Sequence, residues 1–159
     1  MTTMQGIDAR GYLSGWLNGL TGMFTADINA IPDDKWNVNF GGCTRPASEL
    51  TADALSLLDW VTKVLEGNKD AEYNEGIKDD CATKSGAIAK LHSLSEGFGK
   101  ALVAASDEAL GETIMPPWQM EAPLFMIAQI AVSHIWYHDG QLNYIQCLLG
   151  DDKVHWMGD

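Results

Sequence analysis

The chain is poor in cysteine and in positive charge, and it has no long apolar run. Its three cysteines, Cys43, Cys81 and Cys147, are an odd set at wide spacing in 159 residues. They form no CxxC pair, which excludes a disulfide framework or a cysteine-rich zinc module and predicts reduced thiols in a cytoplasmic protein. Ten Lys and Arg stand against 22 Asp and Glu, a formal net charge of −12. Nucleic acid and anionic membranes need clustered cations, so neither is an expected partner. The excess of negative charge favours solubility and mildly attracts cations. No apolar stretch approaches the length of a membrane span. The opening MTTMQGIDARGY lacks an apolar h-region, so no signal peptide is expected. No alternating run is long enough to demand a sheet, and no fixed-period repeat or low-complexity tract is present.

What is there is helical periodicity. Apolar residues make up 46% and charged residues 20%, a globular balance. The length fits one domain, 1–159, able to bury a core without covalent staples. The first helix is predicted over about 8–29, with Leu13, Trp16, Leu17, Leu20, Phe24 and Ile28 at helical spacing. Gly11, Gly15, Gly19 and Gly22 weaken it, each by up to about 1 kcal/mol relative to Ala, or permit close packing against a neighbour. Ile31-Pro32-Asp33-Asp34 ends it, and a loop over 35–45 follows. The second helix starts near Pro46 and stops at Gly67-Asn68, with Leu50, Leu57, Trp60, Val61 and Val64 apolar. A solvated acidic connection spans 69–80. The third helix covers about 81–106, with Ile88, Leu91, Leu94, Phe98, Leu102 and Ala105 on one face. An irregular stretch over 107–121 leads to a fourth helix at about 122–149, closed by Gly150. Four long amphipathic helices make an all-α four-helix bundle. Every connection exceeds a tight hairpin, so pattern alone leaves the neighbour order open.

The fourth helix carries the chemistry. At about 100° per residue, His134 and His138 point within about 40° of each other. Their stripe holds Ile127, Ala131, Gln141, Leu142, Ile145 and Leu149, so the imidazoles look inward. Buried imidazoles need partners, and two at this spacing can clamp one metal ion or each bond a carbonyl. Asp53 shares its face with Leu50, Leu57, Trp60 and Val64 in the second helix. A carboxylate there is paired with a cation, reaches solvent or binds a metal, and oxygen beside two imidazoles suits a divalent transition metal. His92, about 100° off the Leu91 stripe of the third helix, is a boundary residue between its apolar and polar faces. His155 reads as terminal packing. Met115, Met120, Met126 and the tryptophans read as core and groove lining.

The segment SHIWYHDGQLNYIQCLLGD resembles the last helix of the DinB/YfiT-like superfamily of metalloenzymes. The match rests on His134, His138, Gly140, Gln141, Leu142 and the closing Leu149-Gly150, with a Pro-containing irregular stretch before the helix. The resemblance implies a four-helix bundle with a long crossover, a homodimer, and a metal held by three histidines. Two of these map to His134 and His138. The third position, in ASELTADALSLLDW, is Asp53, which implies either a two-His-one-carboxylate site or a weakened one. Asp139, in the place of the charged residue that follows the second histidine, is expected to face outward. The implied activity is that of a divalent-metal-dependent enzyme, with Zn, Ni, Mn or Fe as the ion. It would be a transferase using a low-molecular-weight thiol, or a hydrolase. Asp53, His134 and His138 would be ligands, Gln141 would orient a ligand or water, and Glu49 is the candidate base. The alternative is a non-catalytic bundle that binds a small molecule or serves in a stress response.

Overall fold

The computed structural model describes residues 8–157. The first seven residues, which hold most of the segment read as lacking a leader, and the last two lie outside it. Four long helices dominate: α1 (Ala9–Ala30), α2 (Ala47–Leu65), α4 (Lys84–Ala104) and α6 (Leu124–Leu148). Two short helices, α3 (Ile77–Asp80) and α5 (Asp107–Gly111), and a small antiparallel pair, β1 (Thr113–Ile114) with β2 (Ala122–Pro123), lie in the connections.

Each boundary has a local cause. Ile31 precedes a proline, takes an extended conformation (φ −69°, ψ 125°) and stops α1. Gly67 and Gly150 adopt positive φ, 94° and 86°, just beyond α2 and α6, where a side chain would be strained. The Thr83 hydroxyl accepts from the Gly86 N–H and starts α4.

α1 packs against α4 and α6, and α2 packs against the same two helices. The helices therefore run α1, α4, α2, α6 around the bundle, which resolves the order that pattern left open. Thr25 meets His92 while Arg10 reaches Ala105, so α1 and α4 are antiparallel. Trp16 meets Trp136 while Asp27 meets Asn143, so α1 and α6 are parallel. Asp53 meets His138, while Lys69 beyond the end of α2 reaches Glu112, whose carbonyl accepts from Leu124 N at the start of α6. α2 and α6 are therefore antiparallel, and the topology is up-down-down-up. The connections before α2 and before α6 cross the bundle ends diagonally.

The core gathers residues of the predicted stripes and adds Leu55, Leu58 and Ile135, which those stripes did not include. Leu17, Phe24, Ile28, Leu55, Leu58, Leu91, Phe98, Leu102, Ile135 and Leu142 are all fully or almost fully buried. Each contributes about 1.5–3 kcal/mol on burial. Trp36, in the loop after α1, is a core anchor, as the tryptophans were read, and its indole N–H donates to the Cys81 carbonyl at 2.9 Å. Two expectations need correction. Met115, Met120 and Met126, read as lining, are exposed, as are Trp136 and Trp156. The connection over 69–80 is not wholly solvated, because Ile77 is fully buried.

Candidate metal centre

α6 presents His134 and His138 one turn apart toward α2, and α2 presents Asp53 to them. His138 is completely buried, while His134 and Asp53 are half-buried. His138 Nε2 lies 3.0 Å from His134 Nε2 and 3.4 Å from Asp53 Oδ2. One ligand atom from each residue lies within 4.8 Å of the others, and among the described residues no other such group of His, Cys, Asp or Glu occurs. Gln141, also on α6, places Oε1 2.6 Å from His138 Nδ1, and its amide nitrogen reaches the Tyr137 hydroxyl at 3.4 Å.

These contacts fix the protons. With Gln141 Oε1 accepting, His138 carries its proton on Nδ1, and Nε2 exposes a lone pair. That lone pair faces the Asp53 carboxylate, an acceptor facing an acceptor, which is unfavourable without a cation or a shared proton between them. Burial, then the neighbouring His134, lowers the His138 pKa to about 4, so the ring is neutral near pH 7. Burial lowers His134 as well, against the opposing pull of Asp53. In the metal-free arrangement His134 Nε2–H must donate to His138 Nε2, leaving His134 Nδ1 as a bare acceptor. That atom is buried without a hydrogen-bond partner. A divalent ion would instead be held by Nε2 of both rings and Asp53 Oδ2, with the His134 proton moved to Nδ1. The 3.0 Å and 3.4 Å separations match neighbouring ligands of one such ion. The donor set can therefore hold a metal.

Arg45, in the loop before α2, donates to Asp53 Oδ2 at 2.9 Å. Both enter the wall of a cleft of about 660 Å³, together with Glu49, Tyr73 and Lys78. Burial, then the charge of Asp53, pushes the Tyr73 phenol up, which keeps it a neutral hydrogen-bond donor. Glu49, the candidate base, is exposed on this wall. Arg45 and Tyr73 escaped sequence reasoning, because neither lies on a periodic face or beside the histidine motif. His92 is exposed against Thr25, and His155 pairs with Asp151 at 2.7 Å, so neither enters the centre.

Asp139 does not face outward. It is 2% exposed and turned toward α1, where Asp27 is fully buried. The first-order geometry explains this. One step of about 100° from His138 leads away from α2 but toward the α1 seam, not to solvent. Asn143 and Gln146 donate to Asp27 at 2.7 Å and 3.2 Å. Burial first, then a hydrogen bond to Asp27 and its charge, raises Asp139 to about 8.

The helical bundle carries a His-His-Asp group at the junction of its second and last long helices. The fold is DinB-like: it matches the crystal structure of YjoA, a DinB-like protein from Bacillus subtilis, with a TM-score of 0.66. The match covers 87% of this chain and 92% of that one, at 15% sequence identity. No family model and no curated protein matches the chain.

Proposed function

We propose that the chain is a divalent-metal-dependent enzyme whose ligands are Asp53, His134 and His138. The observation that carries this is the convergence of one ligand atom each from Asp53, His134 and His138 within 4.8 Å, with the His138 Nε2 lone pair aimed at the Asp53 carboxylate. When bound, the ion would polarise a thiol or a water so that it loses its proton near neutral pH. Gln141 holds the His138 tautomer that leaves Nε2 free. Arg45 and Tyr73 in the cleft would orient a polar substrate, and Glu49 could take up a proton at its mouth. A low-molecular-weight thiol as co-substrate, with S-transfer or hydrolysis as the reaction, is supported by the resemblance of the last helix. Zn, Ni, Mn and Fe all suit the donors.

The same reading makes the chain a single functional unit, 1–159, and a homodimer in the cytoplasm. Three free cysteines support that compartment. Among the described residues no helix is long and apolar enough to cross a membrane.

One observation favours the non-catalytic alternative. Asp53 already has a cationic partner in Arg45, so the carboxylate is satisfied without a metal. Metal analysis of untagged protein decides between the two. Near-stoichiometric transition metal that disappears in His134→Ala supports the enzyme. Protein that is isolated without metal and refuses added Zn, Ni, Mn and Fe defeats it.

A further inference from the structure

Arg45 brings a guanidinium to the wall of the cleft beside the metal centre. A stiff stretch of chain carries it. Asn39 closes the loop just before it: its side-chain amide donates to the Thr44 carbonyl at 2.6 Å, and its Oδ1 accepts from the Gly41 N–H at 2.7 Å and the Thr44 hydroxyl at 2.9 Å. Pro46 follows Arg45 directly and disfavours helical backbone at it. α2 begins at the next residue, Ala47. The root of the Arg45 side chain is therefore fixed from both sides, while its guanidinium end reaches into the half-exposed cleft.

Among the described residues, the one hydrogen-bond acceptor of Arg45 is Asp53 Oδ2, reached through Nη1. That contact uses one N–H of a planar group that carries five, in a fork suited to two parallel bonds with a carboxylate. The partner oxygen is also the one that faces His138 Nε2. Asp53 cannot serve a metal and hold Arg45 equally well through the same atom. Whatever draws Asp53 toward the histidines releases the fork.

The charge of the cleft changes sign with the same event. Arg45 and Lys78 stand against Glu49, Asp53 and Glu75, which leaves the wall one negative charge in excess. A divalent ion turns this into one positive charge in excess, enough to balance a monoanion. A phosphate dianion would leave the cleft negative, with Glu49 and Glu75 opposing it, on a chain of net charge −12. The uncharged hydrogen-bonding groups of Asn37, Ser48, Tyr73 and Asn74 complete the wall.

We propose that the cleft takes a substrate bearing a carboxylate, held by the Arg45 fork, and that Asp53 gates this subsite. Paired with Asp53, the fork is engaged. With Asp53 turned to a metal, the fork is free and the carboxylate takes the place of Asp53 on it. The gating rests on the metal-ligand reading above, whereas the affinity of the freed fork for a carboxylate does not. Linkage makes the effect reciprocal: a carboxylate that keeps Arg45 away from Asp53 tightens metal binding by the factor by which the metal tightens carboxylate binding.

Acetate serves as the carboxylate probe and inorganic phosphate as the competing anion, each titrated at constant ionic strength made up with chloride. Backbone amide shifts of Tyr73 and Asn74 read occupancy, and circular dichroism verifies the fold of each variant. In chelator-treated protein, Asp53→Ala should bind acetate about tenfold more tightly than the unmodified chain. Arg45→Lys on that background should abolish the gain, because an ammonium keeps the charge but not the fork. Zn added to the unmodified chain should give the same gain, lost again in Arg45→Lys, and acetate should in turn tighten Zn binding. Acetate affinity unchanged by Asp53→Ala, or phosphate bound more tightly than acetate by Asp53→Ala, overturns the proposal. So does acetate binding to the Zn-loaded chain that survives Arg45→Lys, which would put the anion on the metal itself. The two readings fail separately. A chain that refuses Zn, while Asp53→Ala gains acetate through Arg45, upholds the carboxylate subsite and defeats the metal centre. Zn binding with no gain in acetate affinity does the reverse.

Discussion

Arg45 and Asp53 form an ion pair of 2.9 Å through Oδ2, the same carboxylate oxygen that stands 3.4 Å from His138 Nε2. A metal bound by the triad would have to share that oxygen with the guanidinium or displace it. The pair is partly exposed, 43% on each side, so solvent screens it. At about 5 Å in a medium close to water, a divalent ion and a guanidinium repel by about 1–2 kcal/mol. Arg45→Ala should therefore tighten metal binding by about tenfold. Isothermal titration with Zn or Ni at low salt checks this. Unchanged or weaker binding would mean that Arg45 positions Asp53 more than it competes for it.

Asp53 is where this chain departs from the three-histidine pattern that its last helix resembles. Truncating a ligand leaves two imidazoles and an uncharged gap, so Asp53→Ala should lower metal affinity by at least about 10–100-fold. Asp53→His supplies the third imidazole and should retain binding, with a shift in preference toward Zn and Ni over Mn. Competition between metals against a chromogenic chelator reads both. Identical affinities for the native chain and Asp53→Ala would remove the carboxylate from the site.

Gln141 tests the proton arrangement. Its Oε1 accepts from His138 Nδ1 at 2.6 Å, which leaves Nε2 as the ligand atom. Gln141→Ala removes that acceptor from a buried ring and frees the tautomer. Metal affinity should fall by about 10–100-fold, the usual effect of losing an outer hydrogen bond to a ligating histidine. Gln141→Glu should restore or exceed native affinity, because a carboxylate accepts more strongly. Rescue by Glu is the readout that a merely structural role would not give. Nitrogen-15 shifts of the His138 ring report the tautomer directly.

The bundle was readable because it rests on local rules. The 3.6-residue stripes found Leu17, Phe24, Leu91, Phe98 and Leu142, and Pro32, Gly67 and Gly150 marked boundaries through their own backbone preferences. His134, His138 and Asp53 were readable for a related reason: each sits on an apolar helix face where its polar group needs a partner. The partner of Trp36 was not, since its indole N–H donates to the carbonyl of the distant Cys81. Arg45 and Tyr73 reach the site from non-helical segments, where no period constrains direction. Asp139 was misplaced because a helix in a bundle has two flanking seams. A step away from one neighbour can lead into the other, and only the order α1, α4, α2, α6 shows which.

That same acid gives a pH signature. Asp139 is raised from 3.8 to about 8 in the fold by burial and by Asp27. Between those values the unfolded chain has released this proton while the folded chain keeps it. For this group stability is therefore highest at low pH and is lost as pH rises from about 4 through about 8. His138 acts with the opposite sense. Lowered from 6.5 to about 4, it costs stability only as pH falls through that range. The window from about pH 6.5 to 8 consequently isolates Asp139 from His138. In chelator-treated protein, urea denaturation across that window should show stability falling with a slope of up to about 1.4 kcal/mol per pH unit from this group. Asp139→Asn cannot ionise, and its amide can donate to the Asp27 carboxylate, which already accepts from Asn143 and Gln146. The variant should fold at least as stably at pH 8 and show a flatter profile over the window. A profile that keeps the full native slope would place the titrating group elsewhere, and a strongly destabilised Asp139→Asn would show that the ionised acid, not the protonated one, is what the α1–α6 seam requires.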